Sequence, residues 1–143
     1  MPSATDLLLD THVWVWLMAG DSLRIGPRTR RTIAAAADTG CIRVSPISAW
    51  EVGMLGAKGR LQFAVPHREW VARASSAPGI SVIALTPDIA VESSFLPGRF
   101  HGDPADRLLV ATARMAHAVL VTADQAILDF AREGHVHAAD CSL

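Results

Sequence analysis

Four short apolar segments, each followed by a helical pattern, constrain the fold of this chain more than any other feature. The segments are Leu7–Leu9, Cys41–Val44, Ile80–Leu85 and Val119–Val121. Short strands that alternate with helices are typical of βαβ units, whose strands pair in parallel. We therefore expect an α/β fold with a central, mostly parallel sheet flanked by helices. The sequence shows no repeat or linker, which favours one domain over residues 1–143.

Glycine and proline mark the ends of the predicted helices. These helices are Val13–Ala19, Pro27–Ala37, Ile47–Lys58, His67–Ser76, Thr86–Phe95, Asp103–His117 and Asp124–Glu133. A terminal strand is predicted near His135–Ala138. We expect all four tryptophans to pack in the core, namely Trp14, Trp16, Trp50 and Trp70.

Composition narrows the class of protein. Half of the residues are apolar and 19% are charged, which argues against disorder. No apolar run approaches the roughly 18 residues of a membrane span, and the segment MPSATD lacks the basic start of a signal peptide. We expect a cytoplasmic protein with no membrane partner. The net charge of −1 argues neither for nor against nucleic acid, and Cys41 and Cys141 are too few for a disulfide framework.

Carboxylates follow the predicted strands. Asp10 comes directly after the first strand, and Glu51 is expected in the first turn of the helix after the second. Asp103 and Asp106 open a later helix, and Asp124 lies three residues past the strand VLV. Ligands of open parallel sheets bind at the carboxyl ends of the strands, and Mg²⁺ prefers oxygen ligands. Hydroxyl groups accompany the acids in sequence, on Thr11, Ser45, Ser48 and Thr122.

Each acid also has a structural alternative at this stage. Ser48-Ala49-Trp50-Glu51 matches a capping box, in which Glu51 only binds a backbone N–H. Asp103 precedes a first-turn proline and is expected to cap its helix, and Asp124 could cap the last one. Asp10 is the acid for which the sequence offers no strong capping pattern. Four such coincidences at one edge of one sheet favour a metal site.

Four segments together resemble a PIN domain of the VapC type, the toxin of bacterial toxin–antitoxin pairs. They are LLLDTHVWVWL, SPISAWEVGMLGAKGRL, FHGDPADRLLVATA and AVLVTAD, and the resemblance spans nearly the whole chain. It implies a three-layer sandwich, a homodimer, and RNA cleavage that depends on Mg²⁺, for which Mn²⁺ can substitute. It also implies a VapB-like antitoxin that blocks the acidic site. The catalytic acids implied are Asp10, Glu51, Asp106 and Asp124.

The expected chemistry is metal-assisted hydrolysis of a phosphodiester. Asp10, Asp106 and Asp124 are expected to hold the metal, and Glu51 to orient the attacking water. Supporting roles are expected for Thr11, Ser48, Asp103 and Thr122, and contacts with RNA or antitoxin for Arg99 and Arg107.

Other functions remain open from the sequence. A catalytically silent PIN domain could act as a binding module. A receiver domain fits poorly, because it needs a lysine after a late strand and the one lysine, Lys58, lies on an early helix. A haloacid-dehalogenase-like phosphatase would need an aspartate where His12 stands.

Overall fold

Five parallel strands form the centre of the computed structural model, which describes residues 5–143. Most of the segment MPSATD, on which the expectation of no signal peptide rests, lies outside those residues. The sheet has the order β3-β2-β1-β4-β5, and all four neighbouring pairs are parallel. The strands are β1 Leu7–Leu9, β2 Ile42–Val44, β3 Ile80–Val82, β4 Val119–Thr122 and β5 Ala138–Asp140. The predicted α/β class is confirmed.

Helices connect and cover these strands. They are α1 Thr11–Ala19, α2 Pro27–Asp38, α3 Pro46–Ala57, α4 His67–Ala74, α5 Pro87–Glu92, α6 Pro104–Ala116 and α7 Gln125–Arg132. Each predicted helix is present, although α5 ends three residues before Phe95. Within residues 5–143, none of the helices is long and apolar enough to cross a membrane.

Two strands have bounds that differ from the prediction, and in both cases the pairing with a neighbouring strand sets the bounds. The third strand ends at Val82 because its three residues pair only with β2. The last strand lies at Ala138–Asp140, since this stretch pairs with β4 residue by residue. Tertiary pairing, which local sequence does not encode, therefore decided both ends.

Alternating residues of β1 face opposite sides of the sheet. Leu7 and Leu9 belong to one buried cluster, together with residues of α1 to α4. Leu8 belongs to a second cluster, which α6 and α7 cover. The sheet is therefore sandwiched between two helical layers, and the expected three-layer sandwich is confirmed.

The order of the strands reverses at β1. From β1 the chain builds β2 and β3 on one side, and it then returns to form β4 on the other side of β1. Such a reversal opens a crevice between the carboxyl ends of the two strands. Asp10 lies at this point, and its backbone N–H donates to the Val121 carbonyl at 3.0 Å.

The tryptophans do not all lie in the core. Trp14 is fully buried, and Trp70 packs against it with ring centroids 4.8 Å apart. The prediction is wrong for Trp50, whose exposed fraction is 58%. Its neighbours Ser48 and Val52 take the inward face of α3, which turns Trp50 outward.

Replacement of Trp14 by phenylalanine tests the packing between α1 and α4. The indole Nε1 donates to the Ala74 carbonyl at 3.1 Å, so Trp14→Phe leaves a buried acceptor unpaired. We expect the free energy of unfolding to fall by about 2 kcal/mol. Urea denaturation measures it, with Trp50→Phe as the exposed control, expected to change it by less than about 0.5 kcal/mol. Equal losses in the two variants would contradict this packing.

Candidate active site

An acidic cleft of about 310 Å³ lies at the carboxyl edge of the sheet. All five acids singled out from the sequence line it, so the structure brings them together. The lining residues are Asp10, His12, Trp16, Glu51, Asp103, Asp106, Ala123 and Asp124.

Asp10 is held by two hydrogen bonds. Its Oδ1 accepts from the Thr11 backbone N–H at 2.7 Å, and its Oδ2 accepts from Thr122 Oγ1 at 2.6 Å. Asp10 is therefore the N-cap of α1, a role for which the sequence offered no strong pattern. Burial raises the pKa of Asp10 above its ordinary value, and the two hydrogen bonds oppose that rise.

Thr122 connects Asp10 to Asp124. The Thr122 hydroxyl donates to Asp10 and accepts from the Asp124 backbone N–H at 2.9 Å. The Asp124 Oδ1 in turn accepts from the Ile127 N–H at 3.1 Å and caps α7. One buried threonine thus positions two acids that are more than a hundred residues apart in the chain.

Glu51 lies in the second turn of α3, not in the first as predicted. The cap of α3 is Ser45, whose Oγ accepts from the Ile47 N–H, so the capping-box alternative for Glu51 is wrong. Thr11 Oγ1 lies 2.6 Å from Glu51 Oε1 and 2.8 Å from the buried Ser48 Oγ. Because a carboxylate only accepts, Thr11 donates to Glu51. Burial is the main cause that raises the pKa of Glu51.

Asp103 and Asp106 begin α6. Asp103 caps the helix as expected, since its Oδ1 accepts from the Asp106 N–H at 2.9 Å. The pKa of Asp106 is raised to about 7, first by burial and then by the negative charges of the other four acids. Asp106 is therefore both partly buried and surrounded by negative charge.

The donor set suits a hard divalent cation. Carboxylate oxygens are the ligands that Mg²⁺ prefers, and a cation would relieve the repulsion that raises the pKa of Asp106. Across residues 5–143, however, no three His, Cys, Asp or Glu side chains form a ready-made metal-binding group. The acids line one cleft, and several of them accept hydrogen bonds from the backbone or from hydroxyl groups.

The two arginines expected to contact RNA or antitoxin lie outside this cleft. Arg107 donates to the carbonyls of Ser93 and Phe100, at 2.9 and 2.8 Å, and so braces the loop before α6. These contacts give Arg107 a structural role. Arg99 is exposed in the same loop.

Three residues that the sequence does not assign to the site also line the cleft, namely Ala123, His12 and Trp16. His12 has no zinc-motif spacing, and Trp16 is predicted to pack in the core. Both lie on α1, four residues apart, and that spacing places them on one face of the helix. This four-residue spacing is visible in the sequence, but it indicates a shared face only once the helix is known to begin at Thr11.

Residues 7–133 match the PIN domain family. The chain is also similar to a protein named Ribonuclease VapC22 from Mycobacterium tuberculosis, with 35% identity over 121 residues. That alignment covers 85% of this chain and 88% of the relative.

Two solved structures share the fold. One is VapBC2 from Rickettsia felis bound to a DNA fragment from its promoter, with a TM-score of 0.66 and 16% identity. It covers 93% of this chain and 96% of that one. The other is DNA-bound VapBC from Salmonella typhimurium, with a TM-score of 0.66, 15% identity and coverage of 96% and 98%.

The charge on Asp106 is expected to destabilise the metal-free protein. The folded state keeps this proton up to a pH of about 7, whereas an unperturbed aspartate loses it near 3.8. The folded state therefore binds more protons between these values, and stability falls as the pH rises from about 4 to about 7. Asp106→Asn removes that loss. We expect it to stabilise the protein at pH 8 by about 1 kcal/mol after allowance for solvent screening, or about 3 °C in Tm.

Thermal melts with chelator at pH 4 and pH 8 measure this difference. The gain in Tm should be small at pH 4 and full at pH 8. Asp88→Asn, which changes an exposed acid on α5, is the matched control. An Asp106→Asn protein that melts below wild type at pH 8 would contradict the electrostatic account.

Proposed function

Because the chain belongs to the PIN domain family, we propose that it is a Mg²⁺-dependent endoribonuclease, acting as the toxin of a toxin–antitoxin pair. The proposed enzyme is one domain over residues 1–143. The observation that carries the proposal is the cleft, where five carboxylates meet in the crevice between β1 and β4. The ribonuclease name of its 35%-identical relative supports the same activity.

Asp10, Asp106 and Asp124 are the proposed ligands of the cation, with Mn²⁺ able to replace Mg²⁺. When bound, the cation lowers the pKa of water and offsets the charge that builds on the phosphate. Asp10 and Asp124 already have their positions set by Thr122, which supports their assignment as a pair. The pKa of Asp106 is raised by burial and then by the other four acids, whose negative charge a cation would offset.

Glu51 is the proposed proton acceptor. Its Oε1 is occupied by the Thr11 hydroxyl, which leaves Oε2 to orient a water and take its proton. The water oxygen forms a bond to phosphorus, the bond from phosphorus to the leaving ribose oxygen breaks, and that oxygen takes a proton from solvent. The raised pKa of Glu51 improves its match to the pH at which it would act.

The hydroxyl residues and Asp103 are proposed to position these groups. Thr11 donates to Glu51 and is itself in hydrogen-bond contact with Ser48, and Thr122 donates to Asp10. Asp103 fixes the first turn of α6, from which Asp106 projects.

An antitoxin partner is part of the proposal. A VapB-like chain with basic side chains would complement the five acids and would keep RNA from the cleft. The similar structures are named VapBC, for VapB together with VapC, which supports a partner of this kind. We place the pair in the cytoplasm, where its RNA substrate would be encountered.

Loss of the cation or of Asp10 is expected to abolish cleavage. Total bacterial RNA is incubated with Mg²⁺, with Mn²⁺ and with chelator, and discrete fragments are read by primer extension. Asp10→Asn should lower the rate by at least about 100-fold, because it weakens the cation site. Asp129→Asn changes an exposed acid on α7 outside the cleft and should leave the rate unchanged.

The results of this assay distinguish a cation-dependent nuclease from a catalytically silent domain. Fragments that require both the cation and Asp10 support the nuclease. Cleavage that persists in chelator would contradict the cation requirement. Absence of any cleavage by wild type would favour the catalytically silent PIN domain.

The resemblance to the family implies a homodimer, and we propose that its contact includes exposed apolar residues in α5 and just after it. Val91 and Phe95 are four residues apart, with exposed fractions of 61% and 76%. Apolar surface of this kind marks a contact site when it is contiguous. Light scattering should give about 30 kDa, twice the 15.2 kDa of one chain. Phe95→Glu should shift the mass toward the monomer, whereas Leu23→Glu, at an exposed apolar residue outside α5, should not.

A further inference from the structure

The indole of Trp16 forms part of the wall of the acidic cleft. Trp16 lies on α1 and lines the same cleft as Asp10 and Glu51. His12, one helical turn earlier, packs at a tilt against it, with ring centroids 6.0 Å apart. Trp14, only two residues away, is fully buried and faces the core. The cleft therefore has an aromatic side beside its acidic floor.

A guanidinium group lies over this indole. The Cζ of Arg24 is 5.3 Å from the centroid of the Trp16 ring, within the range of a cation–π contact. Arg24 also pairs with Asp21 at 3.5 Å, but its side chain is 62% exposed. An exposed pair of this kind contributes little and is easily exchanged. Arg24 can therefore turn toward another anion without a large loss of stability.

A cleft that binds RNA needs a source of attraction besides its metal site. Five carboxylates repel a polyanion, so the acids themselves contribute nothing to RNA affinity. An unpaired base is neutral and stacks on aromatic side chains, whatever its sequence. A guanidinium group can stack on a base and also contact a phosphate.

We propose that Trp16, with Arg24 beside it, binds an unpaired nucleobase of the RNA strand next to the phosphate that is cleaved. This inference rests on the proposed nuclease function and adds a determinant of substrate choice. A base that is paired within a helix cannot present its face to Trp16. The enzyme is therefore selective for single-stranded segments, and the stacked base fixes the register of the strand over the acids.

A purely structural role for Trp16 makes a different prediction. The indole also packs against the core cluster that contains Trp14 and Val13. If packing were its only role, its loss would affect all RNAs equally. If Trp16 stacks on a base, its loss matters only when that base is present.

The experiment is a double-mutant cycle, in which one change is made in the protein and the other in the RNA. A short single-stranded RNA that contains a mapped cleavage site is made with one abasic nucleotide at each flanking position in turn. Wild type and Trp16→Leu are compared by kcat/KM on each RNA. We expect Trp16→Leu to lower kcat/KM by about ten-fold on the intact RNA. At one abasic position the wild type should fall to the level of the variant, and the variant should not fall further.

Two further variants test whether a lost stacking contact, and not a loss of folding, lowers kcat/KM. Trp16→Phe keeps an aromatic face and should retain kcat/KM within about three-fold of wild type. Arg24→Ala should lower kcat/KM by about three-fold or more, because it removes the guanidinium group beside Trp16. Its matched control is Arg132→Ala, since Arg132 forms the same i,i+3 ion pair with Asp129 and is similarly exposed, but makes no cation–π contact with Trp16. Arg132→Ala should behave as wild type.

Binding separates this inference from the proposed nuclease function. The same RNAs are titrated into Asp10→Asn protein, with and without Trp16→Leu, and anisotropy gives the Kd. If wild type cleaves no RNA, a short single-stranded RNA of mixed sequence with the same series of abasic positions takes their place. A loss of binding that disappears at one abasic position supports the stacking site, even if wild type cleaves no RNA. A loss of equal size on every RNA, or no loss on any, overturns it. Absence of cleavage by wild type would instead overturn the nuclease function.

Discussion

The hydrogen bond from Thr122 Oγ1 to Asp10 Oδ2 joins the ends of the two strands between which the cleft opens. Because the chain reverses direction across the sheet at β1, the residues after β1 and β4 are neighbours although 112 positions separate them. Thr122 also accepts from the Asp124 N–H, so the two acids share one anchor. Without it, a buried carboxylate at Asp10 would lose the interaction that best offsets its desolvation.

The other acids are also held in position by hydrogen bonds from neighbouring residues. Glu51 is held by Thr11, which belongs to the first turn after Asp10, and Asp106 follows the cap formed by Asp103. Each hydrogen bond fixes a carboxylate, but none neutralises it. Burial first, and then the negative charges of the other acids, raise the pKa of Asp106 to about 7. Carboxyl groups with pKa values raised in this way are typical of functional sites.

The cleft divides its tasks between two kinds of surface. Its acids are suited to a cation, while Trp16 adds an aromatic surface to its lining, and the guanidinium of Arg24 lies over that indole. An RNA strand over this site would meet repulsion and attraction within one cleft. A net charge of −1 gives RNA no strong overall attraction, so in our proposal stacking on Trp16 contributes to binding.

Much of this protein was determined by local sequence. The short apolar segments set the strands, and glycine and proline set the helix ends. Asp10 and Asp124 lie at the carboxyl edge of the sheet because each follows a strand closely in the chain. Tertiary structure decided which side of each helix faces the cleft. Glu51 enters it from a second turn, Trp16 lines it while Trp14 is buried, and Trp50 is exposed. The reason is physical: the rotation of a helix against a sheet depends on packing with residues far away in sequence, and no local pattern contains that information.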